Sequence, residues 1–515
     1  MNVVKAVVTI FTLTNVGEGA RILGIIPTPS YSHQVPFQPL WKELSLRGHQ
    51  VTVLTTHPIK DPSLKNLTEI DLSFSIKILD DKVMEIVNSS HNIFKVMELS
   101  IRVFHDVNVH QLQHHQVQKL INDPDGRFDL LIAEYMSSPM LYFSRRFNCP
   151  YIGVHSLDSS NVIYRLFGHP AHPIVYPDIV IGVYGKSSLF QRVQIVLFEL
   201  FLSFVGPKLK ELEEETVWEH FRDRTPGETI RNELSLLFVN SDPVFDYKRP
   251  LLPSVIQIGG TIARVPVKPL ENRVKKILDG ASEGFIYFSL GTNVKSKDIP
   301  PHALNVILDT FRKLPYKVLW KYELDDLADK PSNVHILRWV SQMEVLDHPN
   351  LKLFITHGGV HSMHEAVHAK IPMVGMPFFA DQPYNVKKMV GMGIAQYVDY
   401  QTMTTEELES AIIEVIRNPS YRERVRELAD LVEDQPMTGL ERAVWWTEYV
   451  LRHKGAPHFR SPFLDLPWYQ YYLLDVSAIV FVTLSVATFA VIKTLRIIIW
   501  VLKRISGKST KPKKE

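Results

Sequence analysis

Cysteine is all but missing: Cys149 is the single one in 515 residues. No intrachain disulfide can form, so the fold must stand on its hydrophobic core. A charge excess is missing too. Lys and Arg number 57 against 55 Asp and Glu, a formal net charge of +2, too small for a surface built to neutralise nucleic-acid phosphates. No internal repeat and no low-complexity tract is evident, so nothing points to a repeat architecture. The 45% hydrophobic and 22% charged residues make a globular composition, long enough for two or more domains.

Two apolar stretches at the ends are set apart from the folded body. Residues 1–19 carry Lys5, the apolar run Ala6–Leu13 and small Gly17 and Gly19, the form of a secretory signal peptide too short to span a bilayer. Val476–Ile492 is seventeen residues without a charge, read as a transmembrane helix over 476–495 between a juxtamembrane segment at 456–475 and a basic tail at 496–515. The tail's lysines and arginines place it in the cytosol and the body in the lumen. Lys511 and Lys513 match a dilysine retrieval signal of the endoplasmic reticulum. A single-pass type I protein of that membrane is the expectation, with sequons at Asn66 and Asn88 usable for glycosylation in the lumen.

Between the ends, strand and helix alternate. Ile22–Ile26 reads as a strand, Phe37, Leu40, Trp41 and Leu44 as a helix stripe, and Val51–Leu54 as the next strand. That is a βαβ unit and implies a parallel sheet. Phe128–Ala133, Leu236–Asn240 and Val255–Gly260 continue it. Val193–Val205 is apolar but too short to span; a buried helix is preferred to one lying against the bilayer. The proline-bearing run Arg264–Pro269 reads as a linker, giving an N-terminal α/β domain over 20–262 and a second over 263–455. Phe285–Leu290 opens the second sheet, and Val318–Trp320, Val334–Leu337, Leu351–Thr356 and Met373–Met376 extend it. Two such sheets joined by a linker leave a cleft at their carboxyl ends, where open α/β sheets bind ligands.

The densest pattern is Trp339–Ala395. A strand runs into the turn His357-Gly358-Gly359, then a helix, a second strand, and the loop Phe378-Phe379-Ala380-Asp381-Gln382-Pro383. A glycine turn feeding a helix N-terminus suits a phosphate, and Glu365, Asp381 and Gln382 suit sugar hydroxyls. Inside it, His364-Glu365-Ala366-Val367-His368 is a literal H-E-x-x-H, the zinc-protease pattern, and with His357 and His361 it sets four histidines near one helical face. Pro372 truncates the helix and no third ligand follows, so ordinary helix histidines are preferred to zinc. Asp123-Pro124-Asp125-Gly126 matches a D-x-D metal motif but reads as a proline-glycine turn.

Taken together, Trp339-x-x-Gln342, Thr356-His-Gly-Gly, Glu365, Pro372-x-x-x-x-Pro377 and Phe379-Ala-Asp-Gln-Pro resemble the signature of UDP-glycosyltransferases, the microsomal type that conjugates small lipophilic molecules. The resemblance implies two Rossmann-like domains facing a cleft (the GT-B fold), an acceptor in the first half and a UDP-sugar in the second. It implies that Trp339 and Gln342 hold the uracil and Glu365 the ribose. His357, Gly359, Ser362, Ser289, Gly291 and Thr292 would cradle the diphosphate, and Asp381 and Gln382 the transferred sugar; His361 falls at a variable position. It implies a catalytic base at Ser32-His33, in the loop after the first strand. A histidine, with an ordinary pKa of about 6.5, suits base work near neutrality. The family orients that base with an aspartate after a later strand; Phe128-Asp129 through Glu134 puts a glutamate there, one methylene longer.

The reading is therefore an inverting hexosyltransferase that uses a UDP-sugar as co-substrate, with no cofactor and no metal, and attaches the sugar to a lipophilic hydroxyl. No basic residue for a sugar carboxylate stands out, which favours UDP-glucose over UDP-glucuronate. A homo-oligomer stays open. The alternative is a non-catalytic UDP-sugar-binding membrane protein, suggested by Glu134 alone.

Overall fold

The computed structural model describes residues 19–89, 92–259 and 269–506. The expected signal segment up to residue 18, residues 264–268 of the expected linker, and the expected dilysine signal all lie outside them, as does Ser90 of the Asn88 sequon. Described residues as far as Arg460 form one compact unit, and those from Ser461 a second.

The first unit holds two parallel sheets. Seven strands make the first: β1 (Arg21–Ile26), β2 (Gln50–Thr55), β3 (Leu67–Asp71), β4 (Leu130–Glu134), β5 (Tyr151–His155), β6 (Leu236–Val239) and β7 (Val255–Gln257), in the order β3-β2-β1-β4-β5-β6-β7. Every residue of β4, β5 and β6 is buried, because helices cover both faces of a parallel sheet and leave no side for polar alternation. Six strands make the second: β8 (Phe285–Ser289), β9 (Lys317–Lys321), β10 (Val334–Leu337), β11 (Leu351–Thr356), β12 (Met373–Gly375) and β13 (Ala395–Tyr397), in the order β10-β9-β8-β11-β12-β13.

Each order contains one reversal. The chain leaves β1 toward β2 and β3 and later returns on its other flank as β4; in the second sheet it leaves β8 toward β9 and returns as β11. At such a point the loops leaving two adjacent strands diverge and open a crevice. The register pairs Ile25 with Ala133 in one sheet and Ser289 with Thr356 in the other. The segments after β1, β4, β8 and β11 therefore line the two crevices.

Packing corrects two expectations. Ala443, Val444 and Val450 of the helix Gly439–His453 join Ile22, Trp41 and Val53 in the core of the first sheet. This helix crosses back, so the second sheet's half does not own all of 263–455. In the other direction, Phe245, which follows β6, is buried among Phe285, Phe354 and Val367 of the second half. The preference for a buried Val193–Val205 helix is also overturned over its described part. The helix runs Leu189–Phe221; Ile195 and Phe198 are buried, but Leu189, Phe190, Val193, Val196, Leu197 and Leu200 are exposed. Apolar residues on every face look like core in a sequence, whereas the body covers one face only.

In the second unit, Leu474–Ser506 is a 33-residue helix with a mean hydropathy of 2.1 over its most apolar stretch. Among the described residues it alone is long and apolar enough to cross a membrane. At 1.5 Å per residue it measures about 50 Å, longer than the expected 476–495 span.

Candidate active site

The loop leaving β1 is pinned before it reaches His33. The Gln34 amide donates to the carbonyls of Ile26 and Thr28, both at 2.8 Å. His33 is thereby held over the end of β4, where its Nδ1 lies 2.6 Å from Glu134 Oε1 and 3.0 Å from Ser156 Oγ. Glu134 is 0% exposed, and its second oxygen accepts the Thr28 hydroxyl at 2.6 Å and the Thr28 N–H at 3.2 Å. The longer side chain thus spans the gap to the imidazole. Burial alone would raise the Glu134 carboxyl; the charge of His33 and the hydrogen bonds from His33 and Thr28 override it and hold the group below its ordinary value. An ionised carboxylate at Nδ1 draws the ring proton there and leaves the lone pair on Nε2, the state a general base needs. Asp129 takes no part, its carboxylate accepting the Arg21 N–H at 2.7 Å ahead of β4.

The second sheet presents a different surface. Gly291 has φ +74°, and a Cβ there would come within 2.6 Å of His357 Cε1, so only glycine lets the turn after β8 lie against the ring that follows β11. Ser289 Oγ accepts the Gly291 N–H at 3.3 Å and fixes that turn, and Thr292 follows it half-buried. Burial, then the Lys321 charge, push the His357 imidazole down to about 4, so it is neutral near pH 7. Its Nδ1 is buried with no partner among the described residues. The helix Val360–His368 starts at Gly359 with no side-chain cap, which leaves its first N–H groups for an anion. Gln342 donates to Ser362 Oγ at 3.1 Å and to Glu365. Trp339 is 57% exposed, with Tyr31 of the first half edge-on to it at 5.4 Å.

At the next turn, Asn385 Nδ2 donates to Asp381 Oδ2 at 2.6 Å and to the Gly358 carbonyl at 3.0 Å, tying that carboxylate to the glycine turn. Gln382 Oε1 accepts the N–H groups of Phe378 and Phe379 at 2.9 and 3.2 Å, so its carbonyl shapes the loop and its amide nitrogen is what it can offer a ligand. The Ser30 hydroxyl donates to Asn293 Oδ1 at 3.0 Å, and Asn240 Nδ2 lies 3.3 Å from His361 Nδ1, both across the two halves.

The four histidines do not converge on one point. His357 precedes the helix, His364 stacks on Phe245 at 5.1 Å, His368 pairs with Glu433 at 3.1 Å, and Glu365 turns to Gln342. The H-E-x-x-H side chains thus each have a separate neighbour, Phe245, Gln342 or Glu433, and among the described residues no group of three or more His, Cys, Asp or Glu is arranged to hold a metal ion. Asp123-Pro124-Asp125-Gly126 is a turn, closed by the Asp125 N–H on Asp123 Oδ1 at 3.1 Å. Asn66 donates its amide to the Ser45 carbonyl at 3.1 Å ahead of β3. Thr28, Ser156 and Asn385 carried no signal in the sequence; their parts come from loops that only the fold brings together.

Glu365 yields a pH-dependent expectation. Burial raises its carboxyl, a rise only partly offset by the Gln342 hydrogen bond, to about 7. An ionised carboxylate accepts two ligand hydroxyls where a protonated one accepts fewer. Affinity for a hydroxyl-bearing ligand held by this carboxylate should thus fall as pH drops through 7, approaching about tenfold per unit. Calorimetric titration from pH 8 to 5.5 measures it, and Glu365→Gln should flatten the profile; an unchanged slope in that variant would remove Glu365 from the site.

Two parallel α/β halves with facing crevices are the GT-B glycosyltransferase architecture, and the glycotransferase of kitacinnamycin shares it at a TM-score of 0.60 and 20% identity, covering 84% of this chain and 99% of that one. The family model for UDP-glucoronosyl and UDP-glucosyl transferase matches residues 21–511, and the chain belongs to that family. UDP-glucosyltransferase 2 of Dactylopius coccus is 33% identical over 491 residues, 93% of each chain. UDP-glucuronosyltransferase 2B7 of Homo sapiens is 29% identical over 503 residues, again 93% of each.

Proposed function

We propose that this UDP-glycosyltransferase transfers glucose from UDP-glucose to a hydroxyl of a small lipophilic acceptor, with inversion and without a metal. The observation that carries the reading is the His33–Glu134 contact of 2.6 Å at the first crevice. His33 Nε2 takes the acceptor's proton, the acceptor oxygen attacks the anomeric carbon from the face opposite the leaving group, and UDP departs. Glu134 stabilises the imidazolium that forms. Trp339, Gln342 and Glu365 hold the uridine, and Asp381 with the Gln382 amide holds the sugar. Charge developing on the diphosphate meets the N-terminus of Val360–His368 and the neutral His357 ring, a hydrogen-bond donor rather than a cation. The two lysines that bear on this side, Lys388 and Lys321, are already paired with Asp246 and Glu323, which supports a neutral hexose over a uronate. Helix Leu474–Ser506 anchors the protein as a single-pass type I component of the endoplasmic reticulum membrane, its body in the lumen.

The non-catalytic alternative rested on Glu134, and the contact it makes with His33 supports the catalytic reading instead. UDP release from full-length protein in microsomes, with UDP-glucose and a mixed phenol and steroid panel, tests the proposal. Turnover with at least one acceptor is expected; UDP binding with no turnover across the panel would establish the alternative.

A further inference from the structure

One ion pair joins the two halves inside the protein rather than at its rim. Lys388, on the helix Gln382–Gly391, meets Asp246, in the segment after β6, at 2.8 Å, with side chains 1% and 8% exposed. The other Asp246 oxygen accepts the Asp242 N–H at 2.9 Å. Around it, Lys387 donates to the Gly182 carbonyl at 2.9 Å, and Tyr384 packs on Tyr247 and Tyr184 with centroids 5.5 and 6.0 Å apart. All of these contacts except the Asp242–Asp246 bond join the helix to the first half. The same helix begins with Gln382, and Asp381 immediately precedes it.

We propose that Lys388 and Asp246 form an interdomain latch, and that Lys388 is a positioning residue setting the Asp381–Gln382 end of its helix relative to His33. The second clause rests on the sugar-binding role given above to Asp381 and Gln382. Apart, each charge is hydrated and stable; together in a water-free interior each requires the other. The pair therefore favours the closed arrangement of the halves and fixes one register of this helix. Trp339, Gln342 and Glu365, which hold the uridine in the proposed function, lie outside this helix. The latch thus acts on the sugar end of the donor and spares the nucleotide end.

Full-length protein in nanodiscs tests this with two ligands, UDP and UDP-glucose, and the variants Lys388→Met, Asp246→Asn and their double. Asparagine keeps an acceptor for the Asp242 N–H. Each single variant should bind UDP within about twofold of wild type, which also shows it is folded, yet bind UDP-glucose about tenfold more weakly. The double variant, with neither charge stranded, should recover to within about threefold. Equal weakening of both ligands, or no change in either, overturns the proposal. A ligand-free measurement separates it from the functional reading: spin labels at exposed Lys119 and Lys313, one on each half, in a Cys149→Ser background. Lys388→Met should broaden the inter-label distance distribution, and an unchanged narrow distribution sinks the latch whatever the donor proves to be. Broadening in a protein whose wild type does not bind UDP-glucose would instead refute the function and keep the latch.

Discussion

His33→Ala is expected to cut UDP-glucose turnover by about 100-fold or more while leaving UDP binding within about twofold, because positioned general bases contribute roughly 10²–10⁴ in rate. The imidazole sits on the first sheet's crevice, whereas every residue proposed to hold UDP is carried by the second half. Removing the ring deletes a proton acceptor without touching the nucleotide's partners. At about 1.4 kcal/mol per decade, the loss corresponds to about 3–5 kcal/mol of transition-state stabilisation. Little structural damage should accompany it, since His33 is half-buried on a four-residue helical turn whose loop is anchored by Gln34. Steady-state UDP release with the best acceptor of the panel, alongside UDP titration, gives both numbers. A fall in kcat below about threefold would dismiss His33 as the base.

Legibility in the sequence differed between the two halves, for a physical reason. Most of the donor side is contiguous: β11, the glycine turn, its helix, β12 and the Asp381 loop follow one another, so the run could carry a family resemblance, and that resemblance marked Gln342, His357, Glu365 and Asp381. The acceptor side is assembled from segments far apart in sequence, Thr28, Glu134 and Ser156, and no local period links them. β5 escaped notice because Tyr151–His155 is a short run with a polar end, fully buried only by its place between β4 and β6. The return of Gly439–His453 to the first sheet was invisible as well. An amphipathic stripe says that a helix has an inner face, but not which core covers it. Glu134 stood between these cases: its position was readable, but whether a glutamate reaches the imidazole depended on a rotamer.

That reach makes Glu134→Gln the sharper test of how the base is prepared. The carboxylate faces donors on both oxygens: His33 Nδ1 on one side, and the Thr28 hydroxyl and N–H on the other. A glutamine has one acceptor and one donor end. Turned with its oxygen toward His33, it would set an NH₂ against the Thr28 backbone N–H, a donor that cannot rotate away. Turned the other way, it satisfies Thr28 and donates to Nδ1, which forces the ring proton onto Nε2, where the acceptor's proton must go. The second arrangement is favoured, because a buried donor facing a donor costs about 1–3 kcal/mol. The variant should then lose about 10²–10⁴ in kcat, by the wrong tautomer and by the missing charge opposite the imidazolium. Glu134→Asp keeps the charge but retracts it by about 1.5 Å; it should retain more activity than the glutamine variant, falling about tenfold below wild type. Paired measurements of kcat and UDP affinity decide the matter. A glutamine variant as active as the aspartate variant would show that Glu134 holds the loop in place and does not govern the proton on His33.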